Sequence, residues 1–99
     1  MNMPIELVFH PDFDERAAWE AEQRGTVFDV KVRRGKHIYS VTFITPDRLA
    51  RDFDLARLQG RPWIAEAGLI LVDRITPDAL QKTMVEIAET DFLDRLLPE

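Results

Sequence analysis

Two histidines, one serine and one tyrosine (His10, His37, Ser40 and Tyr39) are the side chains from which nucleophilic or neutral-pH acid–base chemistry would have to be built. His10 opens the sharpest polar cluster, His10-Pro11-Asp12-Phe13-Asp14-Glu15. Its carboxylates suit a hard divalent cation, and the imidazole could join them around a transition metal. The spacing matches no EF-hand loop and lacks its glycine, while capping of the following helix already explains acids at this place. His37 adjoins a basic tip, where Lys31, Arg33, Arg34 and Lys36 place four positive charges within six residues. A tip of this kind could dock an acidic partner or nucleic acid by charge. Tyr39 is the one stacking platform nearby, and it belongs to the core face of its strand. The residues therefore argue against nucleic acid, and long basic side chains on a hairpin also discourage edge-to-edge aggregation. Ser40 falls mid-strand, without the sharp turn that presents a catalytic serine.

The rest of the inventory narrows the chemistry further. There is no cysteine, so disulfides, thiol nucleophiles, thiolate zinc sites and iron–sulfur clusters are excluded. Gly25, Gly35, Gly60 and Gly68 never come closer together than eight positions, so no glycine-rich loop cradles a phosphate. No cofactor and no bound metal are expected. General acid–base work needs only His10 or His37 within reach of a carboxylate such as Asp29 or Asp73. A small enzyme or metal-binding protein built on those histidines is the alternative reading; the balance lies against catalysis.

The elements that position these residues follow from periodicity. Pro4–Phe9 reads as a strand with Ile5, Leu7 and Phe9 on one face. Asp12 or Asp14 caps a helix that Gly25 stops, with Phe13, Ala17 and Ala21 on one side. Thr26–Arg33 and His37–Ile44 form a hairpin about Arg34-Gly35-Lys36, with Phe28, Val30 and Val32 facing the core from one strand and Tyr39, Val41 and Phe43 from the other. Ile44-Thr45-Pro46-Asp47-Arg48-Leu49 recurs 31 positions later as Ile75-Thr76-Pro77-Asp78-Ala79-Leu80. Thr caps, Pro fills the first helical position and Asp complements the helix dipole. The echo is either a duplicated strand–helix unit or one good helix start used twice, and cap chemistry favours the second. The helix from Pro46 is expected to bury Leu49, Phe53 and Ala56. Arg61–Ile64 reads as a short edge strand, and Gly68–Ile75 as a central strand covered on both faces. The helix from Pro77 turns Leu80, Met84, Ile87 and Ala88 inward.

These elements predict one α+β domain over residues 1–99, with a small mixed or antiparallel sheet, helices on one face and the order β-α-β-β-α-β-α. A ferredoxin-like split β-α-β with an added C-terminal helix is the expected arrangement. The first fifteen residues carry no basic leader pattern, and no apolar run approaches the ~20 residues of a membrane span. A cytoplasmic protein without a membrane partner is expected.

Eighteen Asp and Glu against thirteen Lys and Arg leave a net charge of −5. The acids gather in the first helix and near the C-terminus, the bases at the hairpin tip. Phe92, Leu93, Leu96 and Leu97 rotate off the stripe of the last helix, so this tail either folds back on the core or packs on another chain. Trp63, in a turn region, is a further anchor candidate; Trp19 is expected in the core. Together these features predict a small, acidic, non-catalytic interaction module that binds a protein partner or itself, in the manner of an antitoxin or an immunity protein. Its candidate docking residues are Trp63, Phe92, Leu93, Leu96 and Leu97, with Arg33 and Arg34 at the basic tip.

Overall fold

Local chemistry sets the elements in the expected order. The computed structural model describes residues 4–99; residues 1–3, part of the leader reading, lie outside it. The chain runs through β1 (Ile5–Val8), α1 (Glu15–Arg24), β2 (Thr26–Arg34), β3 (His37–Ile44), α2 (Pro46–Leu58), β4 (Leu69–Leu71), α3 (Pro77–Ile87) and a 3-10 turn at Leu93–Arg95. Asp14 caps α1 by accepting from the Ala17 amide at 2.8 Å. Thr45 and Thr76 do the same for α2 and α3, accepting from Arg48 and Ala79, with Pro46 and Pro77 just inside each helix. Both copies of the Thr-Pro-Asp signature are thus working helix starts.

The strands lie in the order β1-β2-β3-β4. β1, β2 and β3 pair antiparallel, and β4 joins β3 in parallel. This mixed sheet is not the ferredoxin-like arrangement, in which β1 would sit beside β3. The reason lies in lengths. Val8 pairs with Lys31, so β2 begins five residues beyond the end of β1. Ten helical residues rise ~15 Å, which matches an overhang of ~16 Å for five strand residues. Helix α1 therefore carries the chain onward instead of returning it, and β2 comes back antiparallel beside β1. The turn into β2 needs Gly25, whose φ of 75° is left-handed and whose Cβ, were there one, would stand 2.5 Å from Thr45 Oγ1.

One face of the sheet carries the core. Leu7, Val30, Val32, Tyr39, Val41, Phe43 and Ile70 meet Ala21 from α1, Leu80 and Met84 from α3, and Ile75 and Leu93. Each fully buried aliphatic here contributes on the order of 1.5–3 kcal/mol. The outer edge of β1 is closed by a side chain: Gln81 of α3 accepts from the Leu7 amide at 3.2 Å and donates to the Ile5 carbonyl at 2.9 Å. It supplies what a neighbouring strand would.

Several expectations fail for identifiable reasons. β2 carries a bulge, in which Phe28 and Asp29 together oppose Thr42. Asp29 adopts a φ of 54°, and the extra residue turns Phe28 off the core face, leaving it 60% exposed. β4 is a three-residue edge strand, not a central one, and of its residues only Ile70 is buried. Residues 61–64 form no strand. Trp19 is exposed on α1. Helix α2 buries no residue at all, and Leu49, Phe53 and Ala56 are only half-buried. Among the described residues, no helix is long and apolar enough to cross a membrane.

Candidate interaction surface

The basic tip is spent on the protein itself. Arg33 meets Glu6 at 3.3 Å across the strand pair. Arg34 points to the core side, donating to Asp94 at 2.7 Å and to the Tyr39 hydroxyl at 3.1 Å, with its guanidinium 5.4 Å above the Tyr39 ring. Its hydrogen bond to Asp94 raises the Arg34 pKa further above its ordinary value, against a smaller opposing effect of burial. Lys31 bridges Asp29 and Glu99. Of the four charges at this tip only Lys36 has no carboxylate within ion-pair distance among the described residues. Arg33 and Arg34 hold the sheet and the C-terminal segment together.

The histidines are not brought together. His37 lies level with Arg34 and Ile5, whereas His10 follows the far end of β1, beyond Val8. His10 accepts from the Asp12 amide at 3.2 Å and stands 3.5 Å from its carboxylate, both exposed. Phe13, from the same cluster, stacks on Phe9 with ring centroids 4.6 Å apart. No group of three histidine, aspartate or glutamate side chains among the described residues is arranged to hold a metal ion.

Behind the bulge lies a cleft of about 590 Å³, lined by Phe28, Asp29, Ser40 and Thr42, by Glu66 and Ala67, and by Arg95, Leu96, Leu97 and Glu99. Ser40 Oγ donates to Asp29, and Lys31 Nζ donates to both Asp29 and Glu99. The Ser40 hydrogen bond, then Lys31, hold the Asp29 carboxyl below its usual range. Glu99 first and Asp29 second hold the Lys31 ammonium above its own. A general base works best with a pKa near the operating pH, and both groups are displaced away from it. This cluster fastens the C-terminal segment to the sheet, helped by the Glu99 amide, which donates to the Ile38 carbonyl at 2.7 Å.

The C-terminal apolar residues divide. Leu93 is 0% exposed, and Phe92 and Leu96 pack on the core around it. Leu97 alone stays outside, 92% exposed. The tail therefore folds back and closes the sheet face, and three of its four candidate docking residues are occupied there.

Besides the separate exposed side chains of Trp19, Phe28, Leu71, Val85 and Leu97, a run of exposed apolar residues stands on α2 and the segment that follows it. Leu55 and Leu58 project from the helix, Leu58 with 85% of its surface in solvent, and Trp63 (58% exposed) and Ile64 follow in the return to β4. The base of this arm is fixed. The Thr45 amide donates to the Gly25 carbonyl at 2.8 Å, and Arg48 Nη1 to the Arg24 carbonyl at 3.0 Å. At the other end Gly68, with a φ of 79°, lies so close to β3 that a Cβ would stand 2.6 Å from the Ser40 carbonyl oxygen. Its own carbonyl accepts from the Thr42 amide at 2.9 Å. Leu55, Leu58 and Ile64, which sequence reasoning passed over, are exposed like Trp63. The available signal was their position: Leu55 and Leu58 fall off the Leu49–Phe53–Ala56 stripe. Compared with protein-family models, curated proteins and solved structures, the chain finds no match.

Proposed function

We propose that this protein is an intracellular, non-catalytic interaction module that recognises a protein through α2 and the segment behind it. One observation carries the reading: a thirteen-residue helix that buries none of its own residues presents Leu55 and Leu58, with Trp63 and Ile64 following. Scattered apolar residues are ordinary on a surface, whereas several concentrated on one unpacked element are the composition of an interface. Trp is enriched at binding hot spots. The absence of cysteine suits a reducing compartment. Ser40, Asp29, Lys31 and Glu99 are engaged with one another in fastening the C-terminal segment to the sheet, which supports the non-catalytic half of the reading.

The test is capture from the native source with the intact protein and with the Leu58→Glu/Trp63→Ala variant. Association with a defined protein, a second copy included, is expected for the intact chain and lost in the variant. Identical captures by both, from a protein that is itself monomeric, would end the proposal.

A further inference from the structure

Apart from α2, we infer that the cleft behind the β2 bulge is a binding site for a small organic cation, an alkylated ammonium. The bulge holds Asp29 at a φ of 54°, a left-handed conformation that a non-glycine residue keeps only where its surroundings hold it there. Its effect is to turn Phe28 off the core face and into the cleft, with 60% of the residue in solvent. Bulges re-aim side chains in this way beside binding sites. Leu97, the most exposed leucine at 92%, lines the same cleft. Neither apolar side chain contributes to the core, and a ligand in the cleft covers both. The volume of about 590 Å³ lies in the range that holds small molecules.

The polar lining sets the sign of the charge. Asp29, Glu66 and Glu99 are joined by one guanidinium, that of Arg95, and the balance stays negative when the neighbouring Lys31 is counted. Arg95 is turned to Asp91 at 2.8 Å, and Asp29 and Glu99 share Lys31. Glu66 is exposed and has no ion-pair partner among the described residues. The register gives the span. Phe28 and Asp29 oppose Thr42 on one side of β3, and Leu69 pairs with Thr42 on the other. The bulge and the start of β4, with Glu66 and Ala67 just before it, therefore stand two strand spacings or ~10 Å apart, over a buried Thr42. An aromatic ring holds a cation within about 6 Å of its centroid, so one head group fits between the Phe28 ring and the Glu66 carboxylate. Other classes fit less well. An anion meets three carboxylates, and no three metal-ligating side chains among the described residues are arranged around an ion. A primary ammonium needs several acceptors, whereas Lys31 already engages two of the three carboxylates. Alkyl groups on the nitrogen instead use Phe28, Ala67 and Leu97.

Titration of the purified full-length protein with choline at constant ionic strength, followed by amide NMR, tests this directly. Saturable shifts are expected at Phe28, Asp29, Thr42 and Ala67, with a dissociation constant of about 1 mM or tighter. The neutral isostere of choline, with carbon in place of the ammonium nitrogen, should bind more weakly for want of the charge. Butylammonium should bind more weakly for want of the methyl groups. Phe28→Leu and Glu66→Gln are each expected to weaken choline binding about two- to fivefold. Both side chains are exposed, so both variants should keep the circular dichroism of the parent. The Leu58→Glu/Trp63→Ala variant should bind choline as the parent does, so this site and the α2 reading fail independently. Absence of saturable shifts, an equal response to the neutral isostere, tighter binding of butylammonium, or unchanged affinity in either Phe28→Leu or Glu66→Gln would each overturn the assignment.

Discussion

At the scale of single residues, two glycines and one glutamine carry more than their size suggests. Gly25 and Gly68 combine a left-handed backbone with an approach to a neighbour that leaves no space for a Cβ. Alanine at either is expected to cost roughly 1–3 kcal/mol, read as a lower midpoint in urea. Gln81→Ala leaves an amide and a carbonyl of the edge strand without their partner. A loss of about 1–3 kcal/mol is expected, whereas Gln81→Glu, which keeps only the acceptor, should separate the two bonds. The Asp29 cluster gives a pH signature. Its carboxyl is held below the ordinary value of 3.8, so its contribution is complete above that value and lost as pH falls through the lower folded one. Lys31 is held above 10.5, and its contribution is lost only as pH rises through that still higher value. A carboxyl titration followed by NMR should place Asp29 below the exposed aspartates. Lys31→Met should move it only part of the way back, because the Ser40 hydrogen bond remains.

Among the elements, α2 and the C-terminal turn are opposites that look alike in sequence. Both present leucines at helical spacing, yet Leu93 is fully buried and Leu58 almost fully exposed. Leu93→Ala is expected to cost about 2–5 kcal/mol, and Leu58→Ala to stay within about 0.5 kcal/mol in the monomer; chemical denaturation distinguishes them. Hydrogen exchange should likewise run ahead in α2, since local stability follows burial. What was legible from the residues was local. Thr-Pro-Asp declares the starts of α2 and α3 because cap, ring and dipole act within one turn, and Gly25 declares the stop of α1. What was not legible depended on a partner far along the chain. The alternation Phe28-Val30-Val32 hides a bulge, because one left-handed aspartate resets the register without altering the pattern. The run Leu69–Val72 looks like a central strand, because apolar content does not reveal strand order. The stripe on α2 announces a helix without saying that nothing in the chain covers its outer side.

The whole molecule measures 46 × 31 × 21 Å and its radius of gyration is 14.1 Å, against roughly 13 Å for a compact chain of this length. Both fixed ends of the arm belong to the sheet or to its junction with α1, so the arm can be altered without rebuilding the core. The core itself depends on its last contributor. Truncation before residue 91 removes Phe92, Leu93 and Leu96 and uncovers the sheet; it is expected to leave helical circular dichroism but to abolish near-ultraviolet signal and to bind a hydrophobic dye. Leu93 also bears on how the protein is made. The three antiparallel strands are complete in sequence by residue 44, yet the side chains that seal their apolar face, Leu80, Met84 and Leu93, are translated at least 36 residues later. During synthesis that face lacks its cover over the interval between Ile44 and Leu80, and exposed strand surface is what invites misassociation. Folding to the native state must therefore wait until Leu93 has joined the chain.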